Sequence, residues 1–160
     1  MSHDDDEILA AAREGFLDEA QDMLRQFEQC LLVMETAPQD HENLNAAFRA
    51  AHTIKGTAGL FGFDAVVAFT HDAETLLEAL RSGKVQVSDA VTAVLLKSRD
   101  QIELLLDEVR TGAAHADTAA RSASLGEELR AVMGGGAPAA APAAPPAAPD
   151  PVASGPGAWQ

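Results

Sequence analysis

Apolar residues recur in alternating steps of three and four along most of this chain, the spacing that turns one face of an α-helix toward a core. From Ile8 to about Glu35 the stripe is Leu9, Ala12, Phe16, Ala20, Met23, Phe27, Cys30 and Met34, and Asp4 to Glu7 lie where a helix dipole favours negative charge. Pro38 and Asp40 break and restart the chain. Leu44, Ala47, Phe48, Ala51, Ile54 and Ala58 then line a second helix to about Phe61. Gly62 closes it, Asp64 is the expected N-cap of a third, and Val66, Phe69, Thr70, Ala73, Leu76, Leu77 and Leu80 form that helix's inner face before Gly83. Ser88 is expected to cap a fourth helix, with Val91, Val94, Leu95, Ser98, Ile102, Leu105 and Val109 inward and Gly112 at its end. A weaker fifth pattern runs from about Thr118 to Met133, where Leu125, Leu129 and Val132 are spaced to cover an open edge.

Four amphipathic helices joined by short connections predict an all-α fold: an antiparallel up-down four-helix bundle with a fifth, C-terminal helix. From Gly134 the chain reads "GGGAPAAAPAAPPAAPDPVASGPG", without periodicity and with too little bulk to bury. Residues 134–160 are therefore expected to be a disordered Ala/Pro/Gly-rich linker after one domain over 1–133. A linker implies something beyond it, and Trp159 and Gln160 belong either to that or to an artificial end of the chain.

Composition narrows the function more than the fold. The 160 residues are 47% apolar, yet aromatics are only 4% and Tyr is absent, which favours helix over sheet. A formal net charge of −14, with the 11 Lys and Arg scattered, would repel a phosphate backbone, so nucleic acid is excluded as a partner. Cys30 is the sole cysteine and falls on the apolar stripe of the first helix, which leaves no disulfide framework or thiolate cluster. The N-terminus is acidic and lacks the apolar run of a signal peptide, and no stretch is long and apolar enough to cross a membrane. A cytoplasmic location, with no membrane partner, is the expectation.

The second helix contains an anomaly. In "AHTIKGTAGLFGF", residues 51–63, Gly56 and Gly59 interrupt a run of good helix formers, each costing roughly 1 kcal/mol relative to Ala. Both share with His52 a border about 100° from the centre of the core stripe, at four and seven residues from it. Two explanations stand: the glycines let the third helix pack tightly, or they leave His52 open to the approach of something large.

Glu74 lies on the matching flank of the third helix, also about 100° off its core stripe. His52 precedes Phe63 by eleven residues and Glu74 follows it by eleven, so in an antiparallel pair each stands about 16 Å from the turn. The two should meet at one height on the solvent border. A carboxylate accepting the Nδ1 proton would fix the tautomer and aim the Nε2 lone pair outward, which makes the imidazole a nucleophile. No Ser, Thr or Cys clearly completes a hydrolase triad, and no oxyanion-hole motif is visible. Lys55, three residues after His52, either screens an incoming phosphoryl group or lays its stem along the surface. His71, three before Glu74, either hydrogen-bonds the carboxylate or is a solvated helix residue. His3, His41 and His115 fall near helix ends or loops and take no role.

"AHTIKGTAGLFGF" followed by "THDAETLLEALRSGKV" resembles the histidine-phosphotransfer (HPt) domains at the N-terminus of the CheA chemotaxis histidine kinases, over about residues 5–133. The HxxKG run is shared by other HPt domains, and its pairing with His71-x-x-Glu74 one helix later is specific to the CheA type. The resemblance implies that His52 is phosphorylated on Nε2 by ATP through a separate catalytic domain. The phosphoryl group would then pass to an aspartate of a response regulator of the CheY or CheB kind. It also implies supporting roles for Lys55, His71 and Glu74, and open access at Gly56 and Gly59 for both partners. No Gly-rich phosphate loop or P-loop occurs, so the chain is expected to be a phosphoacceptor with no cofactor of its own, a monomer in isolation, and the N-terminal part of a longer kinase.

Two other classes fit less well. A dimerising histidine-kinase module usually follows its histidine with an acidic residue and a later proline, where this chain has Thr53 and Ile54. A bundle metal site could draw on His52, His71 and Glu74, but no Glu-x-x-His pair is present and no metal is expected.

Overall fold

Most turn signals in the sequence do local work in the computed structural model, which describes residues 3–134. Five helices follow one another: α1 His3–Thr36, α2 His41–Leu60, α3 Asp64–Arg81, α4 Asp89–Thr111 and α5 Thr118–Met133. Asp40 caps α2 by accepting from the Asn43 amide at 3.0 Å, and Ser88 caps α4 by accepting from the Val91 amide at 3.2 Å. At the end of α2, Gly62 takes φ +75°, the Gly62 amide donates to Gly59 O, and the Phe63 amide donates back to Ala58 O at 3.0 Å. That pair of bonds is a Schellman closure, and the left-handed residue it needs is why glycine stands there. The chain turns at once into α3.

The helices form a closed ring in which α1 packs on α2, α2 on α3, α3 on α4 and α4 back on α1, while α5 lies against α3 and α4. With short connections this is the up-down four-helix bundle plus one helix, and no strand occurs among the described residues. Leu17, Leu24, Leu31, Phe27, Met34, Ile54, Leu76, Leu77, Leu95, Ile102 and Leu106 are fully buried between the four helices. The outer helix is keyed by Gln101, whose buried amide donates to Thr118 O at 3.0 Å and to Ser122 Oγ at 2.9 Å. Cys30 belongs to the core, and burial pushes its thiol pKa up.

Several expectations are corrected. Helix α1 begins at His3, not Ile8, because Asp4, Asp5 and Asp6 occupy a first turn that the dipole stabilises. At 34 residues and about 51 Å, α1 outruns the 18-residue α3, so its first turns project past the core. Leu9 is consequently 52% exposed and Ala12 is exposed too. Leu17, Leu24 and Leu31, absent from the expected stripe, fill the core, because a helix flanked by two neighbours buries a face wider than a single line of residues. Met23, Phe48, Val109 and Val132 are only half-buried. Phe63, not Asp64, precedes the first turn of α3, and it makes no side-chain cap. Apart from Gly134, the expected linker lies outside the described residues.

Candidate functional site

The α2–α3 hairpin sets the site. Its tight turn at residues 61–63 places the two helices in register, and His52 on α2 comes level with Glu74 on α3. The His52 side chain is 59% exposed, whereas that of Glu74 is 8% exposed. His52 Nδ1 meets Glu74 Oε2, and Lys55 Nζ donates to Glu74 Oε1, so both carboxylate oxygens are engaged. Lys55 is itself mostly buried, at 23% exposed.

The expectation that Glu74 shares the solvent border with His52 is therefore corrected. The carboxylate sits beneath the imidazole and the lysine ammonium that close over it from α2. Burial pushes the Glu74 carboxyl pKa up, but the hydrogen bonds and charges of Lys55 and His52 outweigh it and hold the group below the usual carboxylate range. An ionised carboxylate can only accept, so the proton between the two groups belongs to Nδ1, and in the neutral ring the lone pair is then on Nε2. Such an arrangement can present an oriented nitrogen nucleophile on an open surface.

Of the other residues singled out by sequence, His71 Nδ1 stands 3.7 Å from Glu74 Oε1. That is beyond hydrogen-bond reach, and an electrostatic neighbour remains. Gly56 and Gly59 are both exposed. A Cβ at Gly56 would meet nothing within 4 Å, and one at Gly59 would meet only Val67 Cγ2 at 3.9 Å, an ordinary contact. Close packing of α3 thus explains neither glycine. The surface beside His52 is bare along α2 as far as Leu60, which is 85% exposed.

One neighbour escaped the sequence. Phe48, counted with the core stripe, is half-buried, and its ring stacks on the His52 imidazole with centroids 5.7 Å apart and planes 12° from parallel. The Arg81 guanidinium lies over the same Phe48 ring, 4.1 Å from its centroid. The available signal was the spacing: Phe48 is one helical turn before His52.

Residues 11–112 match the family model described as the Hpt domain. The chain belongs to the Hpt domain family. The match takes in all of α2, α3 and α4, and with them the His52–Glu74 contact, and leaves α5 outside it. The chain is 39% identical over 128 residues to the chemotaxis protein CheA of Rhizobium meliloti, which covers 80% of this chain and 17% of that protein. It spans less than a fifth of the length of the chemotaxis relatives it matches. Among solved structures, it superposes on the CheA phosphotransferase domain of Thermotoga maritima with a TM-score of 0.60 at 29% identity, covering 69% of this chain and 99% of that one. It shares its fold with the phosphorylated P1 domain of CheA3 from R. sphaeroides, solved in complex with CheY6, at a TM-score of 0.67 and 24% identity over 76% of this chain and 94% of that chain. No helix among the described residues is long and apolar enough to cross a membrane.

Proposed function

We propose that this chain is the phosphoryl-carrying domain of a chemotaxis-type histidine kinase, with His52 as the residue phosphorylated. The observation that carries the reading is the pairing of an exposed imidazole with a buried, ionised carboxylate at its Nδ1 edge. Family membership and the likeness to chemotaxis kinases support it.

In the forward step the Nε2 lone pair attacks the terminal phosphorus of ATP held by a separate kinase catalytic domain. The nitrogen–phosphorus bond forms as the phosphorus–oxygen bond to ADP breaks, and ADP leaves with that electron pair. The ring keeps its Nδ1 proton and becomes cationic, a charge that the Glu74 carboxylate opposes directly. In the second step a response-regulator aspartate of the CheY or CheB kind attacks the same phosphorus. The nitrogen–phosphorus bond breaks, and its electrons return to Nε2.

Lys55 keeps the buried carboxylate ionised, and His71 adds a second imidazole beside it. Gly56 and Gly59 keep the rim low enough for both partner sites to close over His52. Residues 1–133 act as the domain and 134–160 as its tether to the rest of a cytoplasmic kinase.

The test is to incubate the chain with labelled ATP and the catalytic core of a chemotaxis kinase that lacks its own phosphoacceptor domain. Acid-labile, base-stable label is expected on the wild type and is absent from His52→Gln. Equal labelling of the two ends the proposal.

A further inference from the structure

We infer that Phe48 and Arg81 are positioning residues for the phosphoacceptor, holding the His52 ring plane so that Nε2 keeps one direction; this rests on His52 being the residue phosphorylated. The contact with Glu74 is made through a single ring atom, Nδ1. By itself it leaves the ring free to turn about the Nδ1–carboxylate line, and such a turn swings Nε2 away from an incoming phosphorus. A near-parallel aromatic surface removes that rotation, because turning the ring would break the stack. Phe48 supplies such a surface at 5.7 Å and 12°.

Phe48 is half-buried and packs against the core, which leaves part of its ring outside it. The Arg81 guanidinium over its centroid, at 4.1 Å, supplies a second hold. Arg81 is steadied in turn by Glu78, 3.3 Å away one turn earlier on α3. The imidazole is thus referenced to α3 through Glu74 at its Nδ1, and to α2 through Phe48, whose ring Arg81 of α3 holds in turn. The aromatic face has a further effect. The phosphorylated ring carries a positive charge when Nδ1 keeps its proton, and an aromatic face beside it favours that cation.

The test compares wild type, Phe48→Leu, Phe48→Tyr, Arg81→Met and His52→Gln in the ATP-labelling assay, with helicity and melting temperature measured for each. Phe48→Leu is expected to label about fivefold more slowly, Phe48→Tyr at the wild-type rate because the face is restored, and Arg81→Met about twofold more slowly, with the label still on His52. Independently of any variant, the His52 ring protons of the wild type should resonate upfield of those of exposed His3 and His41, the ring-current signature of a stacked face. Wild-type labelling rates in Phe48→Leu, or the absence of the upfield shift, overturn the positioning role while leaving His52 as acceptor. Labelling of His52→Gln overturns both.

Discussion

Glu74 is buried beneath His52 and gives one carboxylate oxygen to that ring and the other to Lys55. The carboxylate is therefore both the orienting partner of an exposed nucleophile and the counter-ion of a mostly buried ammonium. Replacing it has two separable consequences.

Glu74→Ala should slow phosphorylation of His52 by about tenfold to a hundredfold, the usual loss when the group orienting an imidazole is removed. It should also cost about 1–3 kcal/mol of stability, because the Lys55 ammonium loses its partner. Adding Lys55→Met should recover part of the stability and none of the rate. Single-turnover labelling reads the first effect and urea unfolding the second. A variant that labels at the wild-type rate removes Glu74 from the site.

Acid should expose the same coupling through stability. The folded-state pKa of Glu74 lies below the ordinary value of about 4.3, so the unfolded chain takes up the proton first as pH falls. The Glu74 contribution is fully present above that ordinary value and is lost as pH drops through the lower folded value. Unfolding curves of wild type and Glu74→Gln should be well separated near neutrality and converge in acid. A gap that stays constant down to the acid limit would contradict the sign.

Gly56→Ala should raise stability by about 0.5–1 kcal/mol, since a helix-interior glycine is costly and its Cβ would meet nothing. Gly56→Leu should keep full helicity and yet lower transfer from His52 to a regulator by about tenfold or more, by raising the rim beside the ring. Circular dichroism and a label-discharge assay measure the two sides. Normal transfer in Gly56→Leu would show that nothing closes over that surface.

Leu24→Ala removes a fully buried side chain of α1 and should destabilise the bundle by about 2–5 kcal/mol. The site lies on the exposed rim of α2 and α3, not in the core, so labelling per folded molecule should not change. Calorimetry combined with label stoichiometry at a temperature below the transition tests the separation of core from site.

Much of this was legible along the chain. The Gly62, Gly83 and Gly112 stops, the restart of the chain at Asp40 and the Ser88 cap follow from local rules that act within one turn of backbone, and the structure keeps them; the weaker fifth pattern, read from the spacing of Leu125, Leu129 and Val132, is a helix over Thr118–Met133. The level meeting of His52 and Glu74 was legible for the same reason, since rise per residue and a short turn fix height along an antiparallel pair. Periodicity also tells which way a side chain leaves its own helix. It does not tell how the neighbouring helix is rotated, or where a long side chain folds once that neighbour arrives. Hence the burial of Glu74, the choice of Lys55 to bond it, the stack of Phe48 on His52, the projection of α1 beyond the core and the filling of that core by Leu17, Leu24 and Leu31 were decided only by the packed bundle. Each depends on distances between helices far apart in sequence, which a one-dimensional pattern does not carry.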